Sequence, residues 1–311
     1  MTDIPLPALT GDSPLGILAA MGAQRLLTEF TVDAPLLSWD PATLTAVLTS
    51  NRTSLDEVVG ELQAIVAEIA DDSLLPGVEA GFPPPGPAPD RLRIDRRGLR
   101  DGARELLVGQ TDESVGEALG WLGSLVTDLA ADDKGRVAIS QYTAPSGKQS
   151  TATMLEKTLG LVQAEPDYLR QALLAWRRVA DVTGEYLDHR AAWDATQDGR
   201  GEAGMRGVPG ATWLALMSFP LFRTTSLKGS RPRSSGWHTI RLGRRTVEEL
   251  RLPVWTQALG TAAVTALVEH PVFAAELSKE DLALLGVIHV CRARRHQSAG
   301  GKSAGVLTTV S

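Results

Sequence analysis

One short run constrains the fold more than any other: Gly11-Asp12-Ser13-Pro14 followed by LGILAAMGAQRLLTEF. Ser13 is an N-cap residue and Pro14 suits the first helical position, where a missing N–H costs nothing. Leu15, Leu18, Met21, Ala23, Leu26 and Leu27 supply an apolar face, and Gly16, Ala19, Ala20 and Gly22 fall between them. A helix carrying small residues among its apolar ones lets another element approach its backbone closely. The run predicts a buried, packed helix, so the rest of the fold must be built against it.

Around that helix, residues 6–10 read as a strand. Residues 36–39 and 44–48 read as two more, joined at the turn-forming Asp40-Pro41. Thr53 or Ser54 starts a second helix, with Glu57 placed for a capping box and Leu55, Val58, Val59, Leu62, Ile65, Val66 and Ile69 at helical period. The expectation is an α+β protein with an N-terminal βαββα unit over residues 1–75. A Pro/Gly linker follows at 76–90, containing GFPPPGPAPD. Residues 91–311 then form a larger, mostly helical region with a few strands, a basic loop and a C-terminal strand. Within it, residues 113–129 and 167–186 read as helices and residues 194–210 as a polar loop. Residues 285–291 read as a buried strand, and the tail after residue 297 as loosely ordered.

Charge is segregated along the chain. Residues 1–90 hold Arg25 and Arg52 against thirteen Asp and Glu. Between positions 223 and 251 the bases Arg223, Lys228, Arg231, Arg233, Arg241, Arg244, Arg245 and Arg251 meet only Glu248 and Glu249, a local charge of +6 in a chain whose total is −6. Such a stretch suits a polyanion. Arg294 and Arg295 add a further cluster near the C-terminus, and Arg91, Arg93, Arg96, Arg97, Arg100 and Arg104 form another whose alternative is a solvated helix or hairpin face. The preference for Arg over Lys fits bidentate phosphate contacts, and equally a GC-rich genome. Trp237, set among these arginines, is either a base-stacking aromatic or a core residue.

Ser146-Gly147-Lys148-Gln149-Ser150 runs straight into an apolar-periodic helix, so Gly147 and Lys148 are candidates for anion binding at a helix N-terminus. The run is not a P-loop, because the Lys is followed by Gln and the leading glycine is absent. Gly301-Lys302-Ser303 fails as well, with His296 where that glycine belongs. The five histidines lack metal-ligand spacing, no Gly-x-Ser-x-Gly elbow occurs, and the single cysteine, Cys291, sits in an apolar strand. No metal, cofactor or catalytic set is expected. No run approaches the roughly 20 apolar residues that span a bilayer. The acidic first residues do not read as a secretory signal, and one cysteine excludes an internal disulfide, so a cytoplasmic protein is expected.

Several stretches in order resemble CRISPR-associated proteins of type I-G systems (formerly I-U). The two families are the large-subunit-like one and the one described as an extension of the CRISPR helicase–nuclease. The residues are the run from Ser13 to Leu27, Leu37-Ser38-Trp39, Ser146 to Ser150, Trp213-Leu214-Ala215 with Phe219-Pro220-Leu221-Phe222, Gly236-Trp237, Leu252-Pro253-Val254-Trp255 and Arg292-Ala293-Arg294-Arg295. The resemblance implies a non-catalytic component of an RNA-guided antiviral complex. Its partners would be other Cas subunits and either crRNA or target DNA, whose sequence is read by base pairing while protein arginines hold the backbone. The alternatives from the residues alone are a protein–protein adaptor without nucleic-acid binding, or a phosphate-handling enzyme working near Ser146–Ser150.

Overall fold

The structure is a computed structural model that describes residues 1–78, 82, 94–108, 111–132, 134–143, 150–188, 190–193, 205–227, 231–296 and 305–310. The chain begins β1 (Thr2–Thr10), α1 (Pro14–Phe30), β2 (Leu36–Trp39), β3 (Thr45–Ser50) and α2 (Leu55–Ala67). The three strands form one antiparallel sheet in the order β1-β3-β2. Ser13 Oγ accepts from the N–H of Gly16 at 3.3 Å and Ser54 Oγ from that of Glu57 at 3.3 Å, so both helices start on the caps the sequence offers.

After the Pro-rich stretch come α3 (Arg96–Leu107), α4 (Asp112–Leu125), β4 (Val126–Ala131), β5 (Val137–Ile139), α5 (Thr151–Ala164), α6 (Asp167–Leu174), β6 (Val179–Ala180), α7 (Arg190–Trp193), β7 (Arg206–Gly207) and α8 (Pro209–Met217). The chain closes with β8 (Thr224–Leu227), β9 (Arg231–Ser234), β10 (Trp237–Leu242), β11 (Arg245–Trp255), α9 (Thr261–Val268), α10 (Lys279–Leu284), β12 (Val287–His296) and β13 (Val306–Thr309). The mostly helical region expected beyond residue 91 is therefore not what forms. Among the described residues, four of the five small antiparallel sheets lie there, including the largest, β10-β11-β12-β13.

Three local causes account for the difference. The helix expected to run to residue 129 stops at Leu125, where Val126 and Thr127 start β4 against β5. The helix expected over 167–186 stops at Leu174. Beyond it Asp181, Gly184, Glu185 and Tyr186 all adopt positive φ, between 47° and 62°, which no α-helix accommodates. The basic stretch expected as a loop is two hairpins, since arginine's long alkyl stem can lie along a sheet while its charged head stays in water. The tail, too, is ordered at β13, which pairs with β12 from Ala293↔Thr309 to His296↔Val306.

The core is centred on α1 and α8. Pro14 to Leu27 of α1 and all nine residues of α8 are buried. The two helices cross at Gly22, where a Cβ would stand 1.8 Å from the Leu214 carbonyl oxygen, so only hydrogen fits. Gly210 is in the same position on the other side of α8, with a Cβ 2.0 Å from the Tyr168 carbonyl oxygen. The N-terminal sheet is tied to the last sheet by backbone. Leu37 and Leu259 exchange N–H···O bonds of 2.8 and 2.9 Å, and Trp255 Nε1 donates to the Leu37 carbonyl at 2.8 Å. Trp39 and Trp255 meet edge to face with centroids 6.2 Å apart. Among the described residues no helix is long and apolar enough to cross a membrane.

Candidate nucleic-acid interface

The Arg-rich stretch folds as two successive hairpins. The first pairs Thr224↔Ser234 through Leu227↔Arg231. The second pairs Trp237↔Leu250 through Leu242↔Arg245 around Gly243-Arg244. In that two-residue turn only Gly243 has positive φ, at 58°, the pattern of a type II′ turn whose first central position requires glycine. The hairpins join at Ser235-Gly236. Gly236 has φ +81°, the Tyr142 hydroxyl donates to the Ser235 carbonyl at 2.9 Å, and a Cβ on Gly236 would sit 2.9 Å from that hydroxyl. Ser234 Oγ lies 3.0 Å from the hydroxyls of both Ser140 and Thr224, which pins the first hairpin to the end of β5.

One face of the last sheet is ionic and internal. Glu249 is fully buried. Its carboxylate accepts from Arg251 Nε at 2.9 Å, Arg292 Nε at 2.9 Å and Arg294 Nε at 2.9 Å. Register explains the convergence: Glu249 and Arg251 alternate on one face of β11, and Arg251 stands opposite Arg292 on β12. Burial alone would raise the Glu249 carboxyl. The hydrogen bonds from Arg292, Arg294 and Arg251 outweigh it and hold the group at about 2. Arg251 also donates to the carbonyls of Phe273 and Ala275 at 2.8 and 2.6 Å.

The nine arginine and lysine positions singled out for nucleic acid thus separate. Arg294 is spent on Glu249. Arg295 lies inside, donating to the carbonyls of Gln141, Tyr142 and Gly305 at 3.2, 2.8 and 3.0 Å, and burial lowers its guanidinium to about 10. Arg223 is exposed but forms a two-point pair with Glu269. Lys228 lies outside the described residues, as do Gly147 and Lys148 of the expected anion site. The helix they would feed, α5, is closed by a reciprocal pair, Ser150 Oγ accepting from Thr153 N–H and Thr153 Oγ1 from Ser150 N–H. What remains are Arg231, Arg241, Arg244 and Arg245, all exposed, and half-buried Arg233. None has a carboxylate partner among the described residues, and Arg241 bonds only the Gly243 carbonyl, at 3.1 Å. The earlier basic helix behaves otherwise: Arg100 pairs with Asp128 and Arg104 with Asp101, each at 2.8 Å.

A cavity of about 600 Å³ opens where the hairpins meet, with Arg233, Ser226, Trp237 and His238 in its wall and the Arg223–Glu269 pair beside them. The sequence offered no signal for His238, since an isolated histidine carries no spacing. Trp237 is 3% exposed. The Arg295 guanidinium lies 5.8 Å from its ring centroid and Tyr142 meets it edge-on at 6.1 Å, so its ring packs rather than offering an open stacking face. Cys291 is buried in β12 and burial pushes its thiol up to about 12, which leaves it unreactive at neutral pH. Among the described residues no three His, Cys, Asp or Glu side chains converge as metal ligands. The chain matches no protein-family model and no curated protein.

Proposed function

We propose that this protein is a non-catalytic, cytoplasmic component of a type I CRISPR surveillance or interference complex. Its part is to hold the backbone of crRNA or target DNA on the two hairpins while its acidic N-terminal region docks other Cas subunits. One observation carries the nucleic-acid half of this reading. The buried arginines Arg25, Arg52 and Arg251 and half-buried Arg295 are all bound to carboxylates or carbonyls, whereas Arg231 and Arg233 on β9, Arg244 in the turn of the second hairpin and Arg245 at the start of β11 have no such partner among the described residues. Uncompensated arginines at a hairpin tip and along strand edges match a chain of phosphates, and their contacts carry no sequence information. The assignment to a CRISPR assembly is supported by the ordered resemblance of the sequence motifs.

The test is a filter-binding titration of single- and double-stranded oligonucleotides over a range of salt concentrations. Wild-type protein is expected to bind any sequence with a steep log–log salt slope, because each neutralised phosphate releases counterion. Removing a single arginine lowers the slope by about 1. Binding that survives the double change Arg244→Glu, Arg245→Glu overturns the reading and makes the hairpins a protein-docking surface.

A further inference from the structure

The ionic face of the last sheet holds more positive charge than its one acid can neutralise. Arg251, Arg292 and Arg294 share the carboxylate of Glu249, which leaves two charges without a counter-ion among the described residues. The neighbouring acid on β11, Glu248, faces the other side of the sheet, where it accepts from Thr239 and Gln141. Arg251 is enclosed and turns its Nη1 to the Phe273 and Ala275 carbonyls. Arg292 and Arg294 differ: their side chains are 32% and 22% exposed, at the margin where this face meets water.

The bonds to Glu249 use only Nε and Nη2 of each of these two guanidinia. Nη1 of each has no hydrogen-bond partner among the described residues, and neither is among the unpartnered atoms closed off from solvent. Two residues apart on β12, the side chains share a face, and one carboxylate holds them side by side with N–H groups still open to water. Like charges held together repel unless an anion offsets them, and a phosphate group accepts from such forks with good geometry. The surroundings extend the match beyond one small anion. Arg245, without a carboxylate partner at the tip of the second hairpin, lies four residues from Glu249 on the same face of β11, roughly 13 Å along the strand. Past Leu250↔Ala293 the pairing of β11 with β12 ends, and a cleft of about 560 Å³ opens there with Val247, Arg294 and His296 in its wall. A row of cations therefore runs from the hairpin tip across the sheet, through Arg245, Arg294 and Arg292.

We propose that a nucleic-acid strand held at the hairpin tip continues over this face of the last sheet and seats one phosphate between Arg292 and Arg294. The inference rests on the reading of the hairpins as a nucleic-acid interface and adds the direction in which the strand leaves them. The experiment titrates the full chain with thymidine oligonucleotides of rising length over a range of salt concentrations, and follows the Nε–H signals of Arg292 and Arg294 by NMR. In wild type both signals should shift once the oligonucleotide is long enough to reach from the tip. Arg292→Gln and Arg294→Gln should each weaken the longer oligonucleotides about tenfold and lower their salt slope by about 1, while the shortest bind as to wild type. Either variant leaves Glu249 two arginines, so the ionic face persists, and urea unfolding checks this; should a variant unfold, the wild-type signals decide. Arg170→Gln removes a charge paired with Asp56 on α2, away from the sheet, and should bind like wild type. The proposal is overturned if saturation leaves the Arg292 and Arg294 signals unmoved, if a folded Arg292→Gln or Arg294→Gln binds long oligonucleotides like wild type, or if Arg170→Gln weakens them equally, which would reduce the effect to net charge. Strand binding with unmoved signals sinks the path across the sheet alone. No strand binding by wild type at any length sinks the hairpin reading together with it.

Discussion

Two arginine–carboxylate clusters, one on the first helix and one in the last sheet, are made of the same groups in inverse proportion. Between α1 and α4, one fully buried arginine, Arg25, serves two carboxylates. It lies 2.8 Å from Glu29, pairs with Glu117 and caps the Met217 carbonyl at 3.0 Å, with its guanidinium 5.7 Å from the Trp121 ring centroid. In the last sheet, one fully buried carboxylate, Glu249, serves three arginines. Burial raises both acids. At Glu29 it wins: one arginine, shared with a second carboxylate that itself pushes upward, cannot offset it, and the group rises to about 7. At Glu249 three sets of hydrogen bonds reverse it, to about 2. Stoichiometry, more than depth, decides the sign.

The same Glu→Gln substitution should therefore act in opposite directions at the two sites. At Glu249 it leaves three arginines, one of them 7% exposed, without a counter-ion, and removing one partner from a buried ionic cluster costs about 3–5 kcal/mol. Urea unfolding of Glu249→Gln at pH 7 should show a loss of that order. A loss below about 1 kcal/mol would mean that the arginines turn outward to solvent, with the sheet face no longer ionic.

Next in size is a change that tests whether α1 is placed by its backbone or by Arg25. Gly22→Ala sets a methyl group against the Leu214 carbonyl, and backbone on backbone cannot relax as a side chain does. The expected cost is about 3 kcal/mol, at the upper end of ordinary overpacking. A melting temperature equal to that of wild type would show that α1 and α8 do not cross in contact, and Arg25 would then be what positions the helix.

These two sites also mark how far the sequence could be read. Gly22 was legible because helix caps and small-residue spacing are local signals, and α1 forms where Ser13 and Pro14 place it. Glu249 was not. A charge count over residues 223–251 adds Arg251 and Glu249 to a surface, whereas strand alternation and the pairing Arg251↔Arg292 bring them inside with two arginines some forty residues later. Arg294 and Arg295 were misplaced for the same reason: adjacent residues of β12 point to opposite faces, one reaching Glu249 and the other the Gln141 and Tyr142 carbonyls. The helix expected over 167–186 ends where Ala175 turns extended and cannot resume where Asp181, Glu185 and Tyr186 take positive φ, and neither feature is marked in those residue types. The cavity at the junction of the two hairpins is a property of the assembled fold that no spacing announces.

Smaller effects are expected in the pH dependence. Glu249, depressed to about 2, and His238, depressed to about 4, contribute stability that is full above their unfolded values and is lost as pH falls through the folded ones. Glu29 acts the other way: raised to about 7, it contributes stability that is full below its unfolded value near 4.5 and is lost as pH rises through 7. Thermal melts across pH should decline on the acid side through His238 and Glu249, with Glu29 removing a smaller increment as pH rises from about 4.5 to about 7 and nothing further above it. Glu29→Gln mimics the protonated form, so it should equal wild type at pH values below about 4 and exceed it at pH 8. A variant less stable than wild type at pH 8 would show that Arg25 needs both carboxylates charged, and the inversion between the two clusters would fail.

The smallest expected change in stability belongs to the arginines that have no cluster at all. Arg244 and Arg245 occupy the tip of the second hairpin, exposed and without carboxylate partners among the described residues, so nothing in the fold depends on their charge. Gly243 fixes the turn, and β11 is anchored beyond it by Leu250, Leu252 and Val254, each fully buried. The double change Arg244→Glu, Arg245→Glu should leave unfolding free energy within about 0.5 kcal/mol of wild type, as surface substitutions do. Strand binding should fall away at every salt concentration, since the change replaces attraction to phosphate with repulsion. A loss of several kcal/mol would instead mean that the tip is folded against acidic groups in the manner of Glu249, and the contrast between enclosed and free arginines would be void. Full stability with undiminished strand binding would keep that contrast but overturn the nucleic-acid reading of the hairpins, leaving their free arginines a surface for docking an acidic protein.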